Sequence, residues 1–257
     1  MVEFDGSGMA TQSVTAVSVR QARIDLAAAH RLAVMDDLHE GTWNHFSRRH
    51  PGDPRRFLIS PPSVHWSQVN ASNIVEHGPE DQPALEARGD LAWVGYRIHA
   101  PIFEARPDVE AILHTHSPFA LALSMLEDPQ LLPADQTGMD FYGRVAYTDF
   151  YDGAVPQDIR HGEELARAMG DNDVLLLRNH GVVIVGRSLA AAYTDLYSFE
   201  RAARALILAL STGRPLRLVP TSAVEQLVEE NENIDYKNDH FEAMKRVLDA
   251  REPDYAS

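Results

Sequence analysis

The stretch Glu110-Ala-Ile-Leu-His-Thr-His116 decides how this chain is read. Its apolar centre, free of Gly and Pro, reads as a buried β-strand. Side chains alternate faces along a strand, so His114 and His116 point the same way and bring two imidazoles within reach of one metal ion. Taken alone, a His-x-His pair fits an ordinary polar sheet margin equally well. The later Leu177-Arg-Asn-His-Gly181 changes the weighting. His180 follows a second apolar run, Val174-Leu-Leu-Leu177, and Gly181 lets the backbone turn away and leave the imidazole exposed at the strand end. His114, His116 and His180 are therefore the candidate metal ligands.

The composition narrows the partners. The 257 residues carry a formal charge of -15, which argues against nucleic acid or an anionic membrane surface. Arg48-Arg49 with Arg55-Arg56 is too short a cluster to reverse that. Cysteine is absent, so histidine, carboxylate and water must bind any ion. The acidic start, Met1-Val-Glu-Phe-Asp-Gly-Ser-Gly8, lacks the basic and apolar regions of a signal peptide, and no apolar run approaches the ~20 residues that span a bilayer. The cytoplasm is the expected location.

Residues 1–17 read as a flexible arm and 19–38 as a helix stopped by Gly41. Pro51-Gly-Asp-Pro54 reads as a hairpin tip ahead of a strand at 57–60. A polar connection at 76–89 leads to an expected strand at 91–94 and a short helix at 99–105, ended before Pro107. After the histidine strand, Ser117-Pro118 starts a helix over 119–126. A strand at 145–148, a helix at 159–169 and buried strands at 174–177 and 182–185 follow. The clearest helix spans 189–210, with apolar residues at threes and fours and Ser188 as its cap. Amphipathic helices at 222–231 and 238–251 form a tail with few evident internal partners, expected to pack on a neighbouring subunit.

Arg106-Pro-Asp-Val-Glu-Ala-Ile-Leu-His-Thr-His116 and Arg178-Asn-His-Gly-Val-Val-Ile-Val-Gly186 resemble the class II aldolase/adducin superfamily, closely over 91–186 and more loosely from Arg20 to Gly213. The resemblance implies an α/β fold of three α-β-α layers around a mostly antiparallel central sheet, over residues 18–215, with a helical extension at 216–257. It also implies a homotetramer and a divalent metal on His114, His116 and His180, zinc first, with manganese or iron as alternatives. Around the strand-turn-strand at 44–63 it makes Asn44, Ser60 and Ser63 candidate substrate contacts.

The chain departs from sugar-phosphate aldolases at one point. Where those enzymes carry a Pro-Ser-Ser-Glu-like stretch some twenty residues before the His-x-His, a gapless count gives Ala92-Trp-Val-Gly95. Trp93 and Gly95 then face the substrate in place of a phosphate-binding serine and the acid/base glutamate, and loss of such a base costs roughly 10²–10⁴ in rate. A small non-phosphorylated carbonyl, hydroxy-acid or aromatic-acid substrate follows. Glu104, Tyr142 and His99 are the candidates to replace the base, with Tyr147 behind them, while Asn179 suits a supporting role beside His180. The first reading is a metal-dependent lyase, by aldol cleavage or decarboxylation. A non-haem Fe(II) oxygenase comes second, and an adducin-like, non-catalytic interaction module third.

Overall fold

The computed structural model describes residues 7–151, 157–231 and 236–257. In chain order the elements are α1 (Ser7–Met35), β1 (His45–His50), β2 (Asp53–Ile59), β3 (Val75–His77), α2 (Gln82–Arg88), α3 (Leu91–Ala105), β4 (Ala111–Thr115), α4 (Pro118–Ser124), α5 (Gln136–Met139), β5 (Val145–Tyr147), α6 (Ile159–Met169), β6 (Val174–Leu177), β7 (Gly181–Gly186), α7 (Leu189–Leu210), α8 (Thr221–Asn231) and α9 (Tyr236–Arg251). Helix α1 reaches back to Ser7, into the stretch expected as an arm; residues 1–6 of that arm lie outside the described residues.

Alternation along the central strands sorts the core into two layers. Ala111 and Leu113 of β4 and Val182 and Ile184 of β7 join the cluster under α1, α4, α7 and α9. Their neighbours Ile112, Val183 and Val185 join the cluster under α3 and α6. Both strands are buried along their length, so helices must cover both faces, and the result is three layers. The sheet order is β3-β2-β1-β4-β7-β6-β5. Five of the six pairings are antiparallel, as expected of a mostly antiparallel sheet, and the edge strand β5 runs parallel to β6, which makes the sheet mixed at that edge.

Two segments differ from the sequence reading. Residues 91–105 form one helix, α3, where a strand and a separate short helix were expected. Asp90 starts it by accepting hydrogen bonds from the backbone N–H groups of Ala92 and Trp93. Pro101 sits inside it and leaves the carbonyl of Arg97 without its helical donor. Gly162 of α6 packs against that spot: a Cβ there would lie 2.1 Å from the Arg97 oxygen and 2.8 Å from Pro101 Cγ. The proline and the glycine together let α3 and α6 meet. The second difference concerns the tail. Helix α9 has partners within the chain: Phe241 is buried against Tyr193 with ring centres 5.5 Å apart, and Lys245 reaches Asp25 at 2.8 Å. Beyond it, Arg31 holds Glu252 and Asp254 at 2.9 and 2.7 Å.

His30 on α1 gives the fold an acid limit. Its Nδ1–H donates to the Leu26 carbonyl at 2.7 Å, its Nε2 meets the Ser60 hydroxyl at 2.6 Å, and complete burial pushes its pKa down to about 4. Above the unfolded value near 6.5 both states are neutral there. As the pH falls from 6.5 to 4 the unfolded chain takes the proton first, so this residue alone withdraws about 3 kcal/mol of stability by pH 4. Urea unfolding at pH 7 and pH 4.5 should record the decline, flattened in His30→Gln; an equal decline in that variant would assign it elsewhere.

Candidate metal centre

His114 points to the α3 and α6 side of the sheet, in line with Ile112. Its Nδ1–H donates to the Val182 carbonyl at 3.0 Å, which leaves the Nε2 lone pair for a ligand role. His116 repeats the pattern, its Nδ1 bonded to Glu40 Oε2 at 2.5 Å and its Nε2 lying 3.2 Å from His114 Nε2. The third ring arrives by a tight turn between β6 and β7. Asn179 takes φ 57° and Gly181 φ 146°, and a Cβ at 181 would stand 2.4 Å from the Thr115 carbonyl oxygen. Only glycine lets β7 start that close to β4 and set His180 beside the pair. One ligand nitrogen from each of His114, His116 and His180 lies within 4.8 Å of the others. Burial, followed by the neighbouring imidazoles His45, His180 and His116, holds His114 well below the usual histidine range, so it is neutral and able to bind an ion. The donor set therefore fits a divalent cation with positions left open.

The three rings share a cavity of about 310 Å³ with His45, Trp43, Tyr151, Arg97 and His161. Arg97 is buried and donates hydrogen bonds to His161 Nδ1 and Gln157 Oε1. Trp43 and Tyr151 are 64% and 55% exposed, so they stand at the mouth. The remaining sequence candidates are dispersed. Glu104 lines a separate cleft with Arg49, Arg55 and Phe103, and Tyr142 is exposed beside α5, bonded through its backbone N–H to Met139. Tyr147 donates no ligand either; its hydroxyl accepts from the Leu131 backbone at 3.1 Å. His99 is fully buried behind His45, its pKa pushed down to about 3 by burial.

Asn44, Ser60 and Gly95 line a smaller adjoining recess that also includes His45. Asn44 Oδ1 accepts from the Glu40 N–H at 2.6 Å, and the Ser60 hydroxyl is engaged by His30 and by the Phe46 backbone. Ser63 sits in a turn at φ 62° and is exposed, while Trp93 is buried, stacked on Tyr96. Sequence reading missed His45, Arg97 and His161. For His45 a signal existed: it shares the strand alternation of Ser47, two residues on, and β1 directly precedes the hairpin tip.

Comparison with known proteins agrees with this geometry. A Caulobacter vibrioides protein assigned by name to aldolase class 2 is 31% identical over 208 residues, covering 80% of each chain. An adducin-related protein of Schizosaccharomyces pombe is 34% identical over 185 residues, covering 69% of this chain and 55% of its own length. The crystal structure of an aldolase II superfamily protein from Pseudomonas syringae superposes with a TM-score of 0.81 at 32% identity, covering 93% of this chain and 96% of that one. The profile of the class II aldolase and adducin N-terminal domain matches residues 24–207, and the chain belongs to that family.

Proposed function

We propose that this protein is a metal-dependent carbon-carbon lyase, cleaving by retro-aldol reaction or decarboxylation a small non-phosphorylated carbonyl, hydroxy-acid or aromatic-acid substrate in the cytoplasm. The observation that supports it most is the convergence of the His114, His116 and His180 nitrogens on an open cavity. His114, His116 and His180 would hold a divalent ion, zinc in this reading, which would supply Lewis-acid stabilisation of negative charge on a substrate oxygen. The chain's own groups do the rest. Glu40 and the Val182 carbonyl orient two of the rings through their Nδ1–H groups. The buried Arg97 guanidinium sets a fixed positive charge in a water-poor wall and suits a substrate carboxylate. Trp43 and Tyr151 offer flat apolar surface at the entrance, which suits a planar substrate.

Gly95 supports the substrate class, because no carboxylate or hydroxyl stands there to abstract a carbon-bound proton or grip a phosphate. The same gap favours an adducin-like module without activity, but three oriented imidazoles on an open cavity have no purpose in a scaffold. Protein made without a histidine tag should be assayed against sugar phosphates and against aromatic hydroxy and keto acids, with its metal identified. Release of CO₂ or an aldehyde from the acids supports the reading. Robust cleavage of a ketose phosphate overturns the substrate class, and iron with oxygen consumption overturns the lyase in favour of an Fe(II) oxygenase.

The proposal extends to a homotetramer. Leu208 and Leu210 near the end of α7 and Leu218 beyond it remain exposed after α9 has docked, apolar surface that suits a second copy. Light scattering at micromolar concentration checks this, and a monomer overturns it.

A further inference from the structure

We infer that His45 is a further catalytic residue, presenting its Nε2–H as a hydrogen-bond donor to a substrate oxygen beside the three-histidine cluster, with His99 and Ser47 as positioning residues that fix its tautomer. The inference rests on the lyase reading and names what replaces the missing carboxylate.

Placement comes first. Strand β1 pairs antiparallel with β4 so that His45 lies directly opposite His114, and the two rings are 4.8 Å apart. His45 forms part of the cavity wall, and among the described residues its one hydrogen bond joins its Nδ1 to His99 Nε2 at 2.6 Å. Its Nε2 edge is thereby left to the cavity. Behind it, His99 Nδ1 bonds to the hydroxyl of Ser47, two residues along β1 on the same face.

The direction of this chain of hydrogen bonds is fixed at its inner end. Ser47 is fully buried, and the His99 ring is the single side-chain partner of its hydroxyl among the described residues. A buried O–H without an acceptor costs about 1–3 kcal/mol, so Ser47 donates to His99 Nδ1. His99 must then carry its proton on Nε2 and donate to His45 Nδ1. His45 in turn carries its proton on Nε2, aimed at the cavity. Burial keeps the His99 ring neutral, so it has one proton to give.

Gly95 completes the argument. A Cβ at that position would press on Ile59 Cδ1 at 2.9 Å and touch His45 Cγ at an ordinary 3.8 Å, so position 95 borders the imidazole. Glycine at 95 leaves the His45 ring as the titratable group beside that position. The polarity of the site differs accordingly: no carboxylate stands at 95 to take a proton, and a fixed N–H beside it stabilises negative charge appearing on oxygen. That suits a step in which the bond to a carboxylate breaks, CO₂ leaves, the electron pair moves onto the carbonyl oxygen as an enolate, and water then protonates the carbon; loss of an aldehyde follows the same course once the substrate's hydroxyl proton has passed to water. The substrate class this selects is a β-keto or hydroxylated aromatic acid or a β-hydroxy carbonyl compound.

Two readouts independent of turnover test it. Long-range ¹H–¹⁵N spectra of the ¹⁵N-histidine-labelled full chain report the tautomer directly. His45 protonated on Nε2 and His99 protonated on Nε2 support the inference, and a proton on His45 Nδ1 overturns it. Ser47→Ala should convert His45 to a mixture of tautomers in a chain with unchanged circular dichroism; an unaltered His45 spectrum would remove Ser47 from its positioning role. The second readout is the affinity of the Co²⁺-loaded protein for acetohydroxamate, followed by visible absorption. His45→Ala should weaken it roughly tenfold or more, and His45→Gln, whose amide still donates, should recover part of the loss. Unchanged affinity in His45→Ala with full cobalt content overturns the inference. Failure of the wild-type chain to hold cobalt overturns the metal reading instead, and the tautomer spectra keep the two failures apart.

Discussion

About one divalent ion per chain is expected by elemental analysis of the untagged protein, and none in His114→Ala/His116→Ala. The size of the effect follows from the ligand count. Zinc held by four protein ligands is worth about 10–16 kcal/mol, or about 3 kcal/mol per ligand, so removing two of the three rings should weaken binding by about 10⁴-fold. Glu40→Gln supplies a graded control. It keeps all three rings and removes only the carboxylate bonded to His116 Nδ1, so a loss of about 10–100-fold is expected. Metal content unchanged in the double variant would show that the ion, if any, sits elsewhere.

Gly181→Ala should add a methyl group that the metal centre cannot accommodate. The new Cβ would lie 2.4 Å from the Thr115 carbonyl oxygen and 3.2 Å from both Cα and Cδ2 of His116, in a backbone conformation that L side chains rarely adopt. Either β7 separates from β4 or the histidine turn is rebuilt, at a cost of roughly 3–5 kcal/mol, and Tm should fall by about 10 °C. Gly41→Ala is the control, because Gly41 also has positive φ but nothing stands within 4 Å of its added Cβ, so a loss of about 1 kcal/mol is expected. Thermal unfolding and metal content should both fail in Gly181→Ala and both survive in Gly41→Ala. Equal stability of the two variants would mean that the turn is not held against β4 in solution.

How far the sequence discloses this site depends on the range of the contacts involved. The pairing of His114 with His116 is a two-residue relation within one strand, and the His180 turn is marked by its glycine, so both are legible locally. Helix α7 is legible for the same reason, its apolar spacing lying within 22 residues and its cap, Ser188, directly before them. The α3 segment misleads because a four-residue apolar run, Leu91-Ala-Trp-Val94, fits a strand or a buried helix equally, and because Pro101 is tolerated only through Gly162, 61 residues away. His45 and His99 are 54 positions apart, and nothing in either neighbourhood announces the other. Glu104 and Tyr142 suit a base by residue type, yet Glu104 lies along a helix that carries it to another cleft. The tail at 216–257 shows its apolar face in sequence, but the complementary faces of α1 and α7 are built from residues too distant to be paired by eye.

The clasp between α1 and the last described residues has a consequence in time. Arg31 meets Glu252 and Asp254 across 221 and 223 positions, and the backbone N–H groups of Ala71 and Ser72 donate to the carbonyls of Tyr255 and Ser257 at 2.9 Å each. Contacts so remote in sequence bear the full entropy of closing a long loop and form late. On a ribosome adding some 5–20 residues per second, α1 emerges well before the tail and its Arg31 face waits roughly ten seconds or more for its closing partners. Until then that face is apolar, basic and uncovered, which leaves the nascent α1 open to a chaperone.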